Sequence, residues 1–121
     1  MAITKVLVVD DSPIDIAFLT EVVSNAGYVV ITAMSGQEAI NKAKSEAPDL
    51  IFMDVIMQGT DGFEACRTIV KDETTKNIPI VFVTGKNQKA DKVWAELQGG
   101  KALIGKPYTA DQIVDQINAL N

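Results

Sequence analysis

Val6-Leu7-Val8-Val9-Asp10-Asp11 runs four apolar residues straight into two adjacent carboxylates, and three later apolar runs also end in groups able to do chemistry. Leu50 to Met53 leads into Asp54, Ile80 to Val83 into Thr84, and Ala102 to Ile104 into Gly105, Lys106 and Pro107. Three carboxylates converging on one crevice repel one another, which raises their pKa values and costs stability unless a cation is present. Magnesium suits such a set, because it takes hard oxygen ligands, keeps several waters and binds through one or two carboxylates plus a phosphate. Lys106 adds a fixed positive charge, and the Thr84 hydroxyl can donate to an anion. A carboxylate placed between a magnesium ion and a lysine can attack phosphorus to give an acyl phosphate. Phosphoryl transfer asks chiefly for alignment and charge neutralisation, which these groups provide.

Such groups meet only if the intervening chain brings the four run ends to one edge. Five short runs rich in β-branched residues read as strands: Lys5 to Val9, Val29 to Ala33, Leu50 to Met53, Ile80 to Val83 and Ala102 to Ile104. Between them lie segments of helical spacing, such as Phe18, Val22 and Ala26, and Ile113, Ile117 and Leu120. Ser12-Pro13 marks a helix start, Ser35 to Glu38 and Thr109 to Gln112 match the capping box, and Asp61 can cap a helix beginning near Phe63. Gly27 and Gly99-Gly100 read as helix stops. Strands alternating with helices predict an α/β fold, a parallel sheet with helices on both faces, since right-handed crossovers place them there. Ligands in such sheets bind beyond the carboxyl ends of the strands.

Composition narrows the field. With 121 residues, 47% of them hydrophobic and 22% charged, the chain predicts one globular domain spanning 1–121. A net charge of -5 disfavours nucleic acid and anionic membrane as partners, and the start MAITKVLVVDD is neither a signal peptide nor a membrane span. A cytoplasmic location is expected. The chain has no histidine and a single cysteine, Cys66, so imidazole catalysis, histidine phosphotransfer within this chain, an intramolecular disulfide and a thiolate zinc cage are all excluded.

Taken in order, KVLVVDDSP, DLIFMDV, DGFE, IPIVFVTG and KPYT closely resemble the receiver domain of bacterial two-component response regulators, over the whole chain. The resemblance implies a flavodoxin-like, five-stranded sheet of order 2-1-3-4-5. It implies Asp54 as both phosphoryl acceptor and magnesium ligand, Asp11 as a direct magnesium ligand, Asp10 as one acting mainly through water, and the backbone carbonyl of Ile56 as a further ligand. Thr84 and Lys106 would contact the phosphoryl group, and the Lys106–Pro107 bond would be cis. The implied donor is a histidine kinase of the chemotaxis (CheA-like) type or a phosphotransfer protein, and the output is docking of a monomer to a downstream protein. The segment KNQKADKVWAELQGG is similar to that of regulators in type IV pilus (twitching motility) chemosensory systems.

The sequence departs from the family pattern in three places. Met57-Gln58 stands where Met-Pro is usual, which removes a φ restraint from the loop before Asp61. Leu103 replaces the aromatic ring that usually moves with the threonine. Ile56 and Lys86, two residues beyond Asp54 and Thr84, flank the approach of hydrolytic water and bear on the phosphoryl lifetime.

Rival readings are weaker. Gly100 to Lys106 matches most of a P-loop, but Pro107 replaces the magnesium-binding hydroxyl and the segment is itself a strand. Asp10 and Asp11 would repel a flavin phosphate. A haloacid dehalogenase-type phosphatase wants a carboxylate where Ile56 stands. Trp94 reads as partly buried helix packing, Cys66 as a small core residue, and Lys86, Lys89 and Lys92 as a solvated face.

Overall fold

A computed structural model describes residues 2–121. Five strands and five helices alternate along the chain: β1 (Lys5–Val9), α1 (Pro13–Asn25), β2 (Val29–Ala33), α2 (Gly36–Glu46), β3 (Leu50–Met53), α3 (Gly62–Lys71), β4 (Ile80–Thr84), α4 (Lys89–Leu97), β5 (Ala102–Gly105) and α5 (Ala110–Leu120). The strands form one parallel sheet of order β2-β1-β3-β4-β5. Both features agree with the expectation; β4 and β5 each run one residue further than the sequence runs suggested, through Thr84 and Gly105.

The apolar strands divide by the period of two that a pleated strand imposes. Leu7, Val9, Ile51, Met53, Ile80 and Phe82 face one core, shared with Ala39, Ile40, Phe63, Cys66 and Ile69 of α2 and α3. Val6, Val8, Leu50, Phe52, Val81 and Val83 face the other, shared with Leu19, Val22 and Val23 of α1 and Ile113 and Ile117 of α5. The three central strands are buried on both faces apart from half-buried Lys5, whereas β2 and β5 at the edges are only partly covered. On the first face Phe63 and Phe82 pack edge to face, ring centroids 5.0 Å apart.

Helix starts follow the local signals. Ser12, Ser35, Asp61 and Thr109 each accept a hydrogen bond from the backbone N–H three residues on. Only Thr109–Gln112 closes as the expected box, since Glu38 accepts instead from the Met34 N–H. Gly27 and Gly99 adopt positive φ at 99° and 101°, as expected for residues that end helices.

The buried face of α1 differs from the expected one. Phe18 is half exposed and Ala26 exposed, while Leu19, Val22 and Val23 enter the core. The helix is apolar nearly all round, so several stripes of helical spacing coexist and periodicity does not select among them. Trp94 likewise leaves half its surface in solvent, because α4 contributes only Ala95 to the core and turns Val93, Trp94 and Leu97 outward. Cys66 is fully buried, and burial pushes its thiol pKa up to about 12, which makes it an inert core residue.

Candidate functional site

The strand order reverses between β1 and β3, and there the carboxyl ends carry Asp10, Asp11 and Asp54. The Val9–Met53 register places Asp10 and Asp54 side by side, one residue beyond the paired strands. The ladder continues far enough for the Asp54 N–H to donate to the Val9 carbonyl at 3.0 Å. Lys106 follows β5, anchored through its own N–H to the Thr84 carbonyl at 2.9 Å, and its bond to Pro107 is cis as expected.

The Lys106 ammonium joins these ends. Its Nζ donates to Asp10 Oδ2 at 2.8 Å, Asp15 Oδ2 at 3.0 Å and Asp54 Oδ2 at 3.2 Å. An ammonium has three donors, so its capacity is taken up by three carboxylates, two just beyond β1 and β3 and one in α1. Burial alone would lower the lysine pKa, but the bonds to Asp10 and Asp15 and the charge of Asp54 outweigh it, and the pKa stands above its usual range. Lys106 is cationic at every physiological pH.

Asp10 and Asp54 are buried, Asp11 is exposed. Burial, aided by the charge of Asp54, raises the Asp10 pKa despite the opposing bonds from Lys106 and the Ser12 N–H. The other oxygen of Asp54, Oδ1, accepts from the Val55 N–H at 2.7 Å, which orients the carboxylate and leaves Oδ2 toward the lysine. Asp11 Oδ2 receives a long bond, 3.4 Å, from the Gln58 N–H, so the loop lacking the usual proline is tied to the acidic edge.

Thr84 is fully buried, and its hydroxyl accepts from the Lys86 N–H at 3.2 Å. Ile56 is 65% exposed at the rim. Leu103 is half buried against the core under α2 and α3. The side chain of Asn87 packs on β5 where Gly105 has no Cβ; a Cβ there would meet Asn87 Nδ2 at 2.0 Å. Lys86 pairs with Asp91 at 3.0 Å, so of the three lysines read as a solvated face, Lys89 and Lys92 stand exposed and Lys86 is engaged.

Asp10, Asp11 and Asp54 present hard oxygens of the kind magnesium takes. Among the described residues, however, no group of three carboxylates is already arranged around a common metal position. Lys106 neutralises the cluster in their midst. The set fits a cation held by few protein ligands and mostly by water or phosphate.

Two residues at this site escape the sequence reading. Asp15 shares the spacing of a helix cap with Ser12 but reaches Lys106, 91 residues away. Gly62, quoted only within the motif DGFE, approaches the Asp54 backbone so closely that no side chain fits. The Ser-x-x-Asp pattern and the glycine of DGFE were the available signals, and both have commoner local explanations.

The family model of the response regulator receiver domain matches residues 6–118, and the chain belongs to that family, the phosphorylation-dependent signalling unit of two-component systems. It is 38% identical to Protein PilH of Pseudomonas aeruginosa over 116 residues, 96% of each chain. It is 33% identical to response regulator PleD of Caulobacter vibrioides, of which it spans 26%. Among solved structures it superposes on chemotaxis protein CheY4 of Vibrio cholerae with a TM-score of 0.92 and 29% identity, covering 99% of this chain and 100% of that one. The receiver domain of sensor histidine kinase PA1611 from Pseudomonas aeruginosa, solved with a magnesium ion coordinated in its active-site cleft, shares the fold at a TM-score of 0.90 and 24% identity, covering 98% of both chains. Receiver domains accept phosphoryl groups from histidine kinases. No helix of the described residues is long and apolar enough to cross a membrane.

Proposed function

We propose that Asp54 accepts the phosphoryl group and that Asp10, Asp11, Asp54 itself and the Ile56 carbonyl would hold a magnesium ion at the site. The observation that carries this reading is the Lys106 ammonium lying 3.2 Å from Asp54 Oδ2 and 2.8 Å from Asp10 Oδ2. The Val55 N–H fixes Asp54 Oδ1 and leaves Oδ2 as the attacking atom. Oδ2 forms the new bond to phosphorus while the bond to the donor's imidazole nitrogen breaks, and the imidazole leaves with the electron pair. When bound, magnesium neutralises charge on the transferring oxygens. Lys106 turns the donor it gives Asp54 toward a phosphoryl oxygen, and Thr84 donates its hydroxyl to another.

The domain acts as a monomer in the cytoplasm, with no catalysis beyond its own phosphorylation and dephosphorylation. It takes its phosphoryl group from a CheA-like kinase or a phosphotransfer protein and docks to a protein target rather than to nucleic acid or membrane. The likeness of KNQKADKVWAELQGG to pilus chemosensory regulators, together with 38% identity to Protein PilH, supports a place in a motility pathway.

Incubation with magnesium and acetyl phosphate, followed by intact-mass measurement, tests the assignment. One added phosphoryl group is expected on the parent chain and none on Asp54→Asn. Equal labelling of both would overturn it.

A further inference from the structure

Ser12-Pro13-Ile14-Asp15 has the spacing of a capping box, in which the side chain three residues into the helix accepts from the N–H of the cap. The corresponding exchange is complete at Thr109–Gln112 in α5. In α1 only half of it forms. The Asp15 N–H donates to Ser12 Oγ at 3.3 Å, but the Ser12 N–H donates to Asp10 Oδ1 at 3.0 Å. Asp10 has taken the place that the Asp15 carboxylate would fill, and Asp15 Oδ2 instead accepts from Lys106 Nζ at 3.0 Å.

The three carboxylates around Lys106 are not equivalent. The proposed phosphoryl transfer commits Asp10 to the cation and turns Asp54 from an anion into a neutral acyl group, so the hold of each on the ammonium weakens during the reaction. Asp15 belongs to neither role. It sits in the first turn of α1, where the helix dipole favours a carboxylate, and its side chain is 46% exposed against 8% for Asp10 and 11% for Asp54. Its bond to Lys106 can persist throughout.

We propose that Asp15 is a positioning residue for phosphoryl transfer: it holds the Lys106 ammonium at the mouth of the site so that the N–H given to Asp54 is placed to turn to the incoming phosphoryl oxygen. The role rests on the assignment of Asp54 above. A lysine chain is long and loses considerable rotamer freedom when fixed. A second, permanent anchor lowers the cost of presenting it during the reaction.

Two measurements test this. In metal-free protein, nitrogen-15 relaxation of the Lys106 ammonium should show a restricted group in the parent, a more mobile one in Asp15→Asn and an intermediate one in Asp15→Glu. With saturating magnesium and acetyl phosphate, Asp15→Asn should phosphorylate about tenfold more slowly, and Asp15→Glu should recover most of the rate. In a Lys106→Met background, Asp15→Asn should have no further effect. A rate for Asp15→Asn equal to or above the parent's would overturn the role and leave Asp15 a rim charge that only repels the donor. The same loss in both backgrounds would also overturn it, since Asp15 would then act without Lys106. A lowered thermal midpoint with unchanged rate would mean a structural bond only, against the proposal. Asp54→Asn, run alongside, separates the two readings: persistent labelling there removes the Asp54 assignment, while the ammonium relaxation reports on Asp15 and Lys106 regardless.

Discussion

Gly62 lies so close beneath Asp54 that a Cβ on it would come within 2.1 Å of the Asp54 carbonyl oxygen and 2.9 Å of the Val55 Cα. The loop leaving β3 returns on itself here, and the Gly62 N–H closes it on the Val55 carbonyl at 2.9 Å. The obstructing atoms are backbone, with no flexible side-chain end to move aside. Gly62→Ala must therefore displace the segment that carries Asp54. We expect a loss of about 1–3 kcal/mol in urea unfolding, accompanied by slower phosphorylation. A variant matching the parent in both would show that the loop yields freely.

Lys106 occupies, with its single positive charge, the place where a dication would interact with Asp10 and Asp54. Lys106→Met should therefore bind magnesium several-fold more tightly by calorimetry while being less stable without it, because the carboxylates then lack any cation. Added magnesium should restore much of that stability. Of the two adjacent acids, Asp11→Ala should weaken magnesium binding more than Asp10→Ala. Unchanged affinity in all three variants would exclude a metal at this edge.

Leu103 leaves no aromatic ring to follow the Thr84 hydroxyl, so a switch in this chain must run through other contacts. Thr84 Oγ1 accepts from the Lys86 N–H, Lys86 pairs with Asp91 in α4, and Asn87 packs on Gly105 of β5. Movement of the hydroxyl toward a phosphoryl oxygen would release the first of these contacts and shift the population of the whole loop. Beryllofluoride, which mimics the phosphoryl group, should change amide exchange across residues 84–108, and Thr84→Ala should lose that change. Silence across this span in the parent would place the output elsewhere, at the loop around Gln58.

Asp49 ties the start of β1 from the opposite end of the sheet, accepting from the N–H groups of Thr4 and Lys5 at 3.0 Å each and from the Thr4 hydroxyl at 2.9 Å. The Lys5 and then the Thr4 backbone bonds hold its pKa below the usual carboxylate value. A depressed pKa means that below about pH 4 the unfolded chain binds more protons than the folded one. The contribution of Asp49 is present above that range and is lost as pH falls through the folded pKa. Asp49→Asn should cost about 1 kcal/mol at neutral pH and lose stability less steeply than the parent on acidification. Parallel pH profiles for the two chains would rule this out.

Sequence alone determined the five strands, the helices between them and the convergence of Asp10, Asp54, Thr84 and Lys106 at one edge. These follow from local runs of apolar residues and from turn and cap residues, whose preferences act within a few positions. The cis bond before Pro107 and the strand order came with the family resemblance and are present in the fold. Tertiary structure alone decided which side of α1 enters the core, because a helix apolar on most sides carries no preferred face until it meets the sheet. It also decided the approach of Gly62 to Asp54 and the partner of Asp15. Ser12 and Asp15 have the spacing of a closed cap, and nothing within α1 says otherwise. Only when β1 delivers Asp10 to the Ser12 N–H, and β5 brings Lys106 across the sheet, is the Asp15 carboxylate displaced from the cap and drawn to the ammonium. The Asp10–Ser12 bond is local, two residues apart, but the bond that claims Asp15 joins residues 91 apart, so the partner of Asp15 is settled by packing and not by the cap pattern.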